Sequence, residues 1–300
     1  MPECGIKKIP HAEILSLEEI LRVAKMFARL GIKKIRLTGG EPLLRKNLPL
    51  LIRELKSIDG IDKVMLTTNG VLLERLSSEL IDAGLDGINL SLDTLKRETF
   101  DGLTRRNVFA DVFNGLRSLL AQQSIDVKIN CVPLRGINDD ELLSLAMPAR
   151  DHSIKVRFIE LMPIGIATGS GLKGVPTSAI FSMLKAHLGE LVEVRERNEL
   201  QGPARYFRPK NFVGQIGFID ALEHKFCASC NRIRLTAEGF LKTCLSFDRG
   251  LDVRQLLRSN VGDEEIFKAM EQSIFRKPRE HVFDVGQCSR DERQMYQIGG

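Results

Sequence analysis

Between Ser16 and Met162 the sequence switches five times from a helical period to a strand period, and nothing else in its 300 residues restricts the fold as much. Ser16-Leu17-Glu18-Glu19 predicts a helix start in which side chains satisfy the first free amides. Leu17, Ile20, Leu21, Ala24, Phe27 and Leu30 then make one apolar stripe, and Gly31 ends it. Strands are expected over 32–38, 63–67, 87–92, 127–132 and 155–161, with helical stretches between them. Strands joined through helices pair in parallel by right-handed crossovers. Five such units predict an α/β chain: part of a β/α barrel, with an open doubly wound sheet as the alternative.

A parallel strand covered on both faces reads as nearly continuous apolar sequence. These strands do not. Lys34, Arg36 and Thr38 alternate with Ile35 and Leu37; Thr67 opposes Val64 and Leu66; Asn89 and Ser91 alternate with Ile88, Leu90 and Leu92; Lys128 and Asn130 alternate with Val127 and Ile129. One polar face predicts a wet barrel interior. Polar or glycine residues also gather at the strands' C-terminal ends: Thr38-Gly39-Gly40-Glu41, Thr67-Thr68-Asn69-Gly70, Ser91-Leu92-Asp93 and Glu160-Leu161-Met162. That is the end where β/α barrels build their sites. Taken singly, Gly39-Gly40 and Asn69-Gly70 are ordinary turn pairs, and Arg36 and Lys128 are ordinary surface cations. Their agreement on successive strands favours a site.

A net charge of +5 over this length is too small to hold a polyanion by bulk charge, and 6% aromatics without Trp leave no stacking platform for nucleic acid. No apolar run approaches the roughly 18 residues of a membrane span. Met1-Pro2-Glu3-Cys4-Gly5 lacks a signal pattern. The expectation is a cytoplasmic protein that contacts neither nucleic acid nor membrane, with its six cysteines reduced.

Glycines at 165, 169, 171 and 174 mark 163–176 as a loop. Thr177 or Ser178 is expected to cap a helix to about Leu188, followed by strands near 191–195, 204–208 and 214–218, and helices near 251–258 and 263–276. A boundary near Glu190 divides the chain into 1–190 and 191–300.

The sharpest chemistry lies in the second part. Cys227 and Cys230 have C-x-x-C spacing, which lets two sulfurs of one turn reach one centre. Residues 231–236 and 240–245 read as a hairpin turning at Ala237-Glu238-Gly239, which brings Cys244 back beside Cys230. A period of two puts Arg232 and Arg234 on the face of Cys230. Three thiolates beside two guanidiniums suit a metal centre next to an anion. Zinc, with His224 as a fourth ligand, and a 4Fe–4S cluster with one open iron are comparable on spacing alone. Cys131 and Cys288 read as single thiols, and Cys4 has no partner at metal spacing.

Arg36-Leu-Thr-Gly-Gly-Glu-Pro42, Thr67-Thr-Asn-Gly70, Asn89-Leu-Ser-Leu-Asp93, Val127-Lys-Ile-Asn130, Arg157-Phe-Ile-Glu-Leu-Met-Pro163, the C-x2-C-x13-C cluster with Asn-Arg-Ile-Arg, and the final Gly299-Gly300 follow in one order. This order resembles the GTP 3′,8-cyclase (MoaA) family of molybdenum cofactor biosynthesis, radical S-adenosylmethionine (SAM) enzymes. The resemblance implies an incomplete β/α TIM-type barrel of the radical SAM type, over 1–190. A C-terminal α+β module over 191–300 would bind a cluster and GTP and carry a Gly-Gly tail. By resemblance, Gly40, Ser91 and Met162 contact SAM, and Arg36, Thr67, Lys128, Arg232, Ile233 and Arg234 contact GTP. Cys227, Cys230 and Cys244 hold a 4Fe–4S cluster whose open iron receives guanine, and Gly299 and Gly300 enter the active site. The implied reaction uses SAM and a second 4Fe–4S cluster to make a 5′-deoxyadenosyl radical, which takes hydrogen from ribose C3′ so that this carbon attacks guanine C8. The implied partners are GTP, SAM, an electron donor such as flavodoxin or ferredoxin, cyclic pyranopterin monophosphate synthase downstream, and a second copy in a homodimer.

The family's first strand and its C-x3-C-x2-C motif are absent from the sequence, and with them the ligands of the SAM-cleaving cluster. The expectation is a chain cut short at its start, with the strand at 32–38 left as an unpaired edge and poor solubility or activity on its own. The alternatives are a non-catalytic nucleotide-binding module stabilised by zinc or a cluster, and another radical SAM enzyme with an auxiliary cluster.

Overall fold

The computed structural model describes residues 9–122, 124–167, 170–195, 202–283 and 293–299. The described strands are β1 (Lys34–Leu37), β2 (Lys63–Thr68), β3 (Gly87–Ser91), β4 (Asp126–Cys131), β5 (Lys155–Ile159), β6 (Leu191–Val194), β7 (Arg205–Pro209), β8 (Gln215–Ile219), β9 (Arg234–Leu235), β10 (Phe240–Lys242) and β11 (Gly250–Asp252). The helices are α1 (Leu17–Arg29), α2 (Leu48–Lys56), α3 (Leu73–Asp82), α4 (Arg97–Thr104), α5 (Phe109–Leu120), α6 (Leu142–Ala146), α7 (Pro148–Asp151), α8 (Thr177–Leu188), α9 (Val253–Leu257), α10 (Asp263–Phe275) and α11 (Met295–Ile298). The large sheet runs β1-β2-β3-β4-β5-β8-β7-β6. β2 to β5 and β8 are parallel, while β7 and β6 turn back antiparallel. The sheet stays open, as an incomplete barrel requires, and β1 lies at its end among the described strands.

Two compact units divide the chain, and β2 passes from one to the other. The strand unit comprises Met65–Met162 and Gly171–Phe226. One face of its sheet is apolar: Leu66, Ile88, Leu90, Val127, Ile129, Val156, Phe158, Ile216 and Phe218 are at most 2% exposed. α3 and α5 cross tightly at Gly115, where a Cβ would stand 2.8 Å from the Gly70 carbonyl oxygen. Any larger residue would push the helices apart.

The boundary expected near Glu190 falls inside this unit, because β6, β7 and β8 continue the sheet of β3 to β5. β8 is buried at every position, the pattern of a central parallel strand. Nor does α8 cap itself. Its N-cap is Pro176, and the Glu223 carboxylate accepts from the Ser178 amide and from both hydroxyls, Thr177 and Ser178.

The cysteine unit comprises Pro2–Val64, Pro163–Ser170 and Cys227–Gly300. α1 starts as expected: Ser16 Oγ accepts from the Glu19 amide at 3.2 Å, and Glu19 Oε2 accepts from the Ser16 amide at 2.8 Å. Gly31 ends it at φ +81°. The residues it buries completely are Val23, Ala24 and Met26, so the seam is rotated from the expected stripe. Val23 and Met26 join Leu15, Leu241, Val253, Leu257, Ile266 and Met270 in one core, while Ile20, Phe27 and Leu30 pack at its margin. Arg258 donates to both Glu19 carboxylate oxygens (2.7 and 2.9 Å) and holds that carboxyl below its ordinary value, with burial opposing. Ser16→Ala is expected to cost about 1 kcal/mol in urea unfolding, the worth of an N-cap. An unchanged midpoint would assign the helix start to Arg258 alone.

The expected hairpin is present but short. β9 and β10 pair antiparallel with Leu235 opposite Leu241 and Arg234 opposite Lys242. β11, absent from the sequence expectation, adds a third strand, and the helix expected from 251 begins at Val253.

Candidate functional site

In the strand unit, the face opposite the apolar one carries two polar layers. Thr67, Asn89, Lys128, Lys155 and Gln215 stand in register across β2, β3, β4, β5 and β8. Asn89 Nδ2 donates to Thr67 Oγ1 at 3.0 Å. Asn89 is fully buried, and its Oδ1 accepts no hydrogen bond among the described residues. Lys128 is 7% exposed and pairs with Asp126, and the Lys155 ammonium lies 5.4 Å from the Tyr206 ring centre. One layer on, Ser91, Asn130 and Arg157 are in register. Arg157 Nε donates to Asn130 Oδ1 at 2.8 Å, and burial lowers the guanidinium's pKa while Tyr206 opposes.

The alternation in the sequence thus forms a polar face, on which Asn89, Lys128, Arg157 and Gln215 are buried and Thr67, Asn130 and Lys155 half-buried. Thr67, Ser91 and Lys128 lie on it, with Ser91 exposed at the strand end. Met162 follows β5, half-buried. Arg157 and Lys155 were not picked out as site residues, although Lys155-Val156-Arg157 carries the same alternation as Lys128-Ile129-Asn130.

In the cysteine unit, β1 exposes Arg36 and leads into Gly39-Gly40. Gly39 takes φ +148°, a conformation that side chains rarely adopt. A Cβ added at Gly39 or Gly40 would meet nothing within 4 Å among the described residues, and Gly40 is exposed. Gly299 at φ +80° sits so close to Thr38 that an added Cβ would come within 2.9 Å of Thr38 Cγ2. The tail therefore reaches the end of β1. Gly300, Cys4 and Cys288 lie outside the described residues.

Cys227 opens a single 3-10 turn, Cys227–Ser229, and the Cys230 amide donates to its carbonyl at 3.1 Å. β9 spans two residues, so strand alternation does not reach Cys230 or Arg232, and the turn places them instead. Cys227, Cys230 and Cys244 are half-buried and free of disulfides. Each sulfur has a hydrogen-bond partner. The His281 amide donates to Cys227 Sγ at 3.4 Å, Lys277 Nζ donates to Cys230 Sγ at 3.5 Å, and Ser246 Oγ lies 3.4 Å from Cys244 Sγ. The Val282 amide donates to Ser246 Oγ at 3.3 Å, joining the Cys227 and Cys244 sides.

Cations surround the thiols. Burial opposes ionisation of Cys230, but the Arg232 amide and guanidinium with the Lys277 ammonium hold its pKa below the ordinary value. Burial, then Arg232, pushes Arg234 down to about 10, while Cys230 and Cys244 oppose. Arg234 is still charged at neutral pH. Lys242, fully buried, is lowered to about 8 by burial and by Arg293 and Arg234, and donates to the Phe247 carbonyl at 2.6 Å. Ile233 turns its side chain into the core. His224, considered as a fourth zinc ligand, engages Asp220 at 2.7 Å. Among the described residues, no three His, Cys, Asp or Glu side chains are gathered tightly enough for a single metal ion.

Residues 4–147 match the Radical SAM superfamily, and residues 154–283 match Molybdenum Cofactor Synthesis C. A GTP 3′,8-cyclase of Pelotomaculum thermopropionicum is 44% identical over 301 residues, covering 100% of this chain and 92% of that protein. One from Moorella thermoacetica is 42% identical with the same coverage, and one from Clostridium perfringens strain 13 is 42% identical over 97% of this chain and 89% of that protein. By whole-length likeness to these proteins, the chain belongs to the GTP 3′,8-cyclase family of radical SAM enzymes.

Proposed function

We propose that the chain acts in molybdenum cofactor biosynthesis, joining ribose C3′ of GTP to guanine C8 to give (8S)-3′,8-cyclo-7,8-dihydroguanosine 5′-triphosphate. The supporting observation is the disulfide-free thiol triad, each sulfur hydrogen-bonded and the whole flanked by Arg232, Arg234 and Lys277. Cys227, Cys230 and Cys244 would hold a 4Fe–4S cluster, which would supply a Lewis-acidic iron to a purine nitrogen or oxygen; the radical would come from SAM reduced at a second cluster, whose C-x3-C-x2-C ligands this sequence does not contain.

The chain's own residues orient the substrate and neutralise its charge. In the cysteine unit, Arg232 and Arg234 face the anionic nucleotide, Arg36 offers a fixed positive charge, and the Gly39-Gly40 backbone takes SAM with Gly40. Arg suits a triphosphate because its fork binds two oxygens at once. In the strand unit, Lys128 and Thr67 serve GTP, and Ser91 and Met162 serve SAM. Gly299, beside Thr38 at the end of β1, would contribute to the site.

Arg234→Ala should weaken GTP binding by at least about tenfold in calorimetry of the anaerobically reconstituted protein, the loss of a charge-assisted contact. Unchanged affinity would remove Arg234 from the site. Zinc without acid-labile sulfide in the purified protein would favour the non-catalytic module.

A further inference from the structure

Lys277 follows α10, where the helix dipole favours a cation, and its ammonium leaves that helix end for the cysteine loop. It makes three contacts there. Nζ donates to the Cys230 carbonyl at 2.6 Å, to the Arg232 carbonyl at 2.9 Å and to Cys230 Sγ at 3.5 Å. Four residues on, the His281 amide reaches Cys227 Sγ, and the Val282 amide reaches the Ser246 hydroxyl beside Cys244. One short segment, 277–282, therefore touches the surroundings of all three thiols without contributing a thiol of its own.

The geometry points to Lys277 as a positioning residue that clasps the Cys227–Arg232 loop and tunes whatever the triad holds. The inference rests on the cluster reading of that triad. Two carbonyls bound to one ammonium fix the path of the loop between Cys230 and Arg232, and so the direction in which Cys230 presents its sulfur. The third contact places a donor and a positive charge on a ligand sulfur. Donors to ligand sulfurs stabilise the more negative, reduced form of a cluster and raise its potential. Lys277 lies 47 residues from Cys230 in sequence, so packing of α10 is what delivers it.

The test compares the parent with Lys277→Met and Lys277→Gln in the full chain. Lys277 is half-exposed beyond the end of a helix, so neither change should unfold the protein. In the metal-free chain, hydrogen exchange over 227–232 should quicken in Lys277→Met. Unchanged exchange overturns the clasp. In the reconstituted chain, iron loss to a chelator should be several-fold faster in Lys277→Met, and the midpoint potential, followed by electron paramagnetic resonance, should shift negative. Lys277→Gln, which keeps a donor but no charge, should fall between. An identical potential and loss rate in all three proteins overturns the tuning role. If the parent itself takes up no iron and sulfide, the cluster reading fails, while the exchange comparison still decides the clasp.

Discussion

Cys244→Ser is expected to cut the iron and acid-labile sulfide of the reconstituted protein to a small fraction of the parent value. Cys244 follows β10 and stands alone on its side of the triad, whereas Cys227 and Cys230 share a turn. No nearby thiol is placed to replace it among the described residues. A serine oxygen is harder and far more basic than a thiolate, so it is a poor substitute on iron–sulfur. The decisive comparison is with Cys131→Ser. Cys131 is fully buried, and burial together with Asp93 and Glu141 pushes its thiol well above the ordinary value. An inert core thiol of that kind should leave iron and sulfide unchanged. Equal iron in both variants would dissolve the triad as a ligand set.

The parts legible beforehand share one property: local period decides them. α1 and its capping box follow from four residues and a stripe, and β2 to β5 follow from the alternation of polar and apolar side chains. The polar layers were visible for the same reason, since Asn89, Lys128 and Asn130 each interrupt an apolar strand. What stayed hidden depends on pairing across distance. Gln215–Ile219 is nearly all apolar, which says it is buried but not which sheet receives it. Placing β8 beside β5 moves the expected boundary at Glu190 into the middle of a unit. Lys277 lies just past the helix expected over 263–276 and carries no local signal, yet its ammonium reaches the cysteine loop. Glu223 caps α8 from 45 residues away, where no capping signal would be sought.

Asn138→Ala is expected to give the largest loss of stability of the substitutions considered, about 3–5 kcal/mol in chemical unfolding. In Ile137-Asn138-Asp139-Asp140 the residue looks like part of a surface turn, but it is completely buried. Its Oδ1 accepts from the Leu134 amide at 2.7 Å, and its Nδ2 donates to the carbonyls of Asp93 (2.7 Å) and Val132 (3.1 Å). Asp93 in turn accepts from the Val132 amide at 2.8 Å, so one side chain laces the exits of β3 and β4 together. Alanine would leave the buried Leu134 amide and the partly buried carbonyls of Asp93 and Val132 without that partner, and a buried group costs about 1–3 kcal/mol when unmet. Partial relaxation and entry of water reduce the sum, which sets the lower estimate. The urea midpoint should fall with the slope unchanged, as for a pure stability effect. Asn138→Asp should not rescue it: aspartate keeps the acceptor for Leu134 but loses both donors and buries a charge. Because the laced segment begins two residues after Ser91, SAM binding by the surviving folded protein should weaken as well, measured at a temperature well below its transition. If Asn138→Ala kept both its midpoint and its SAM affinity, the exits of β3 and β4 would be held by the Thr94–Glu141 contact (2.5 Å) and its neighbours instead.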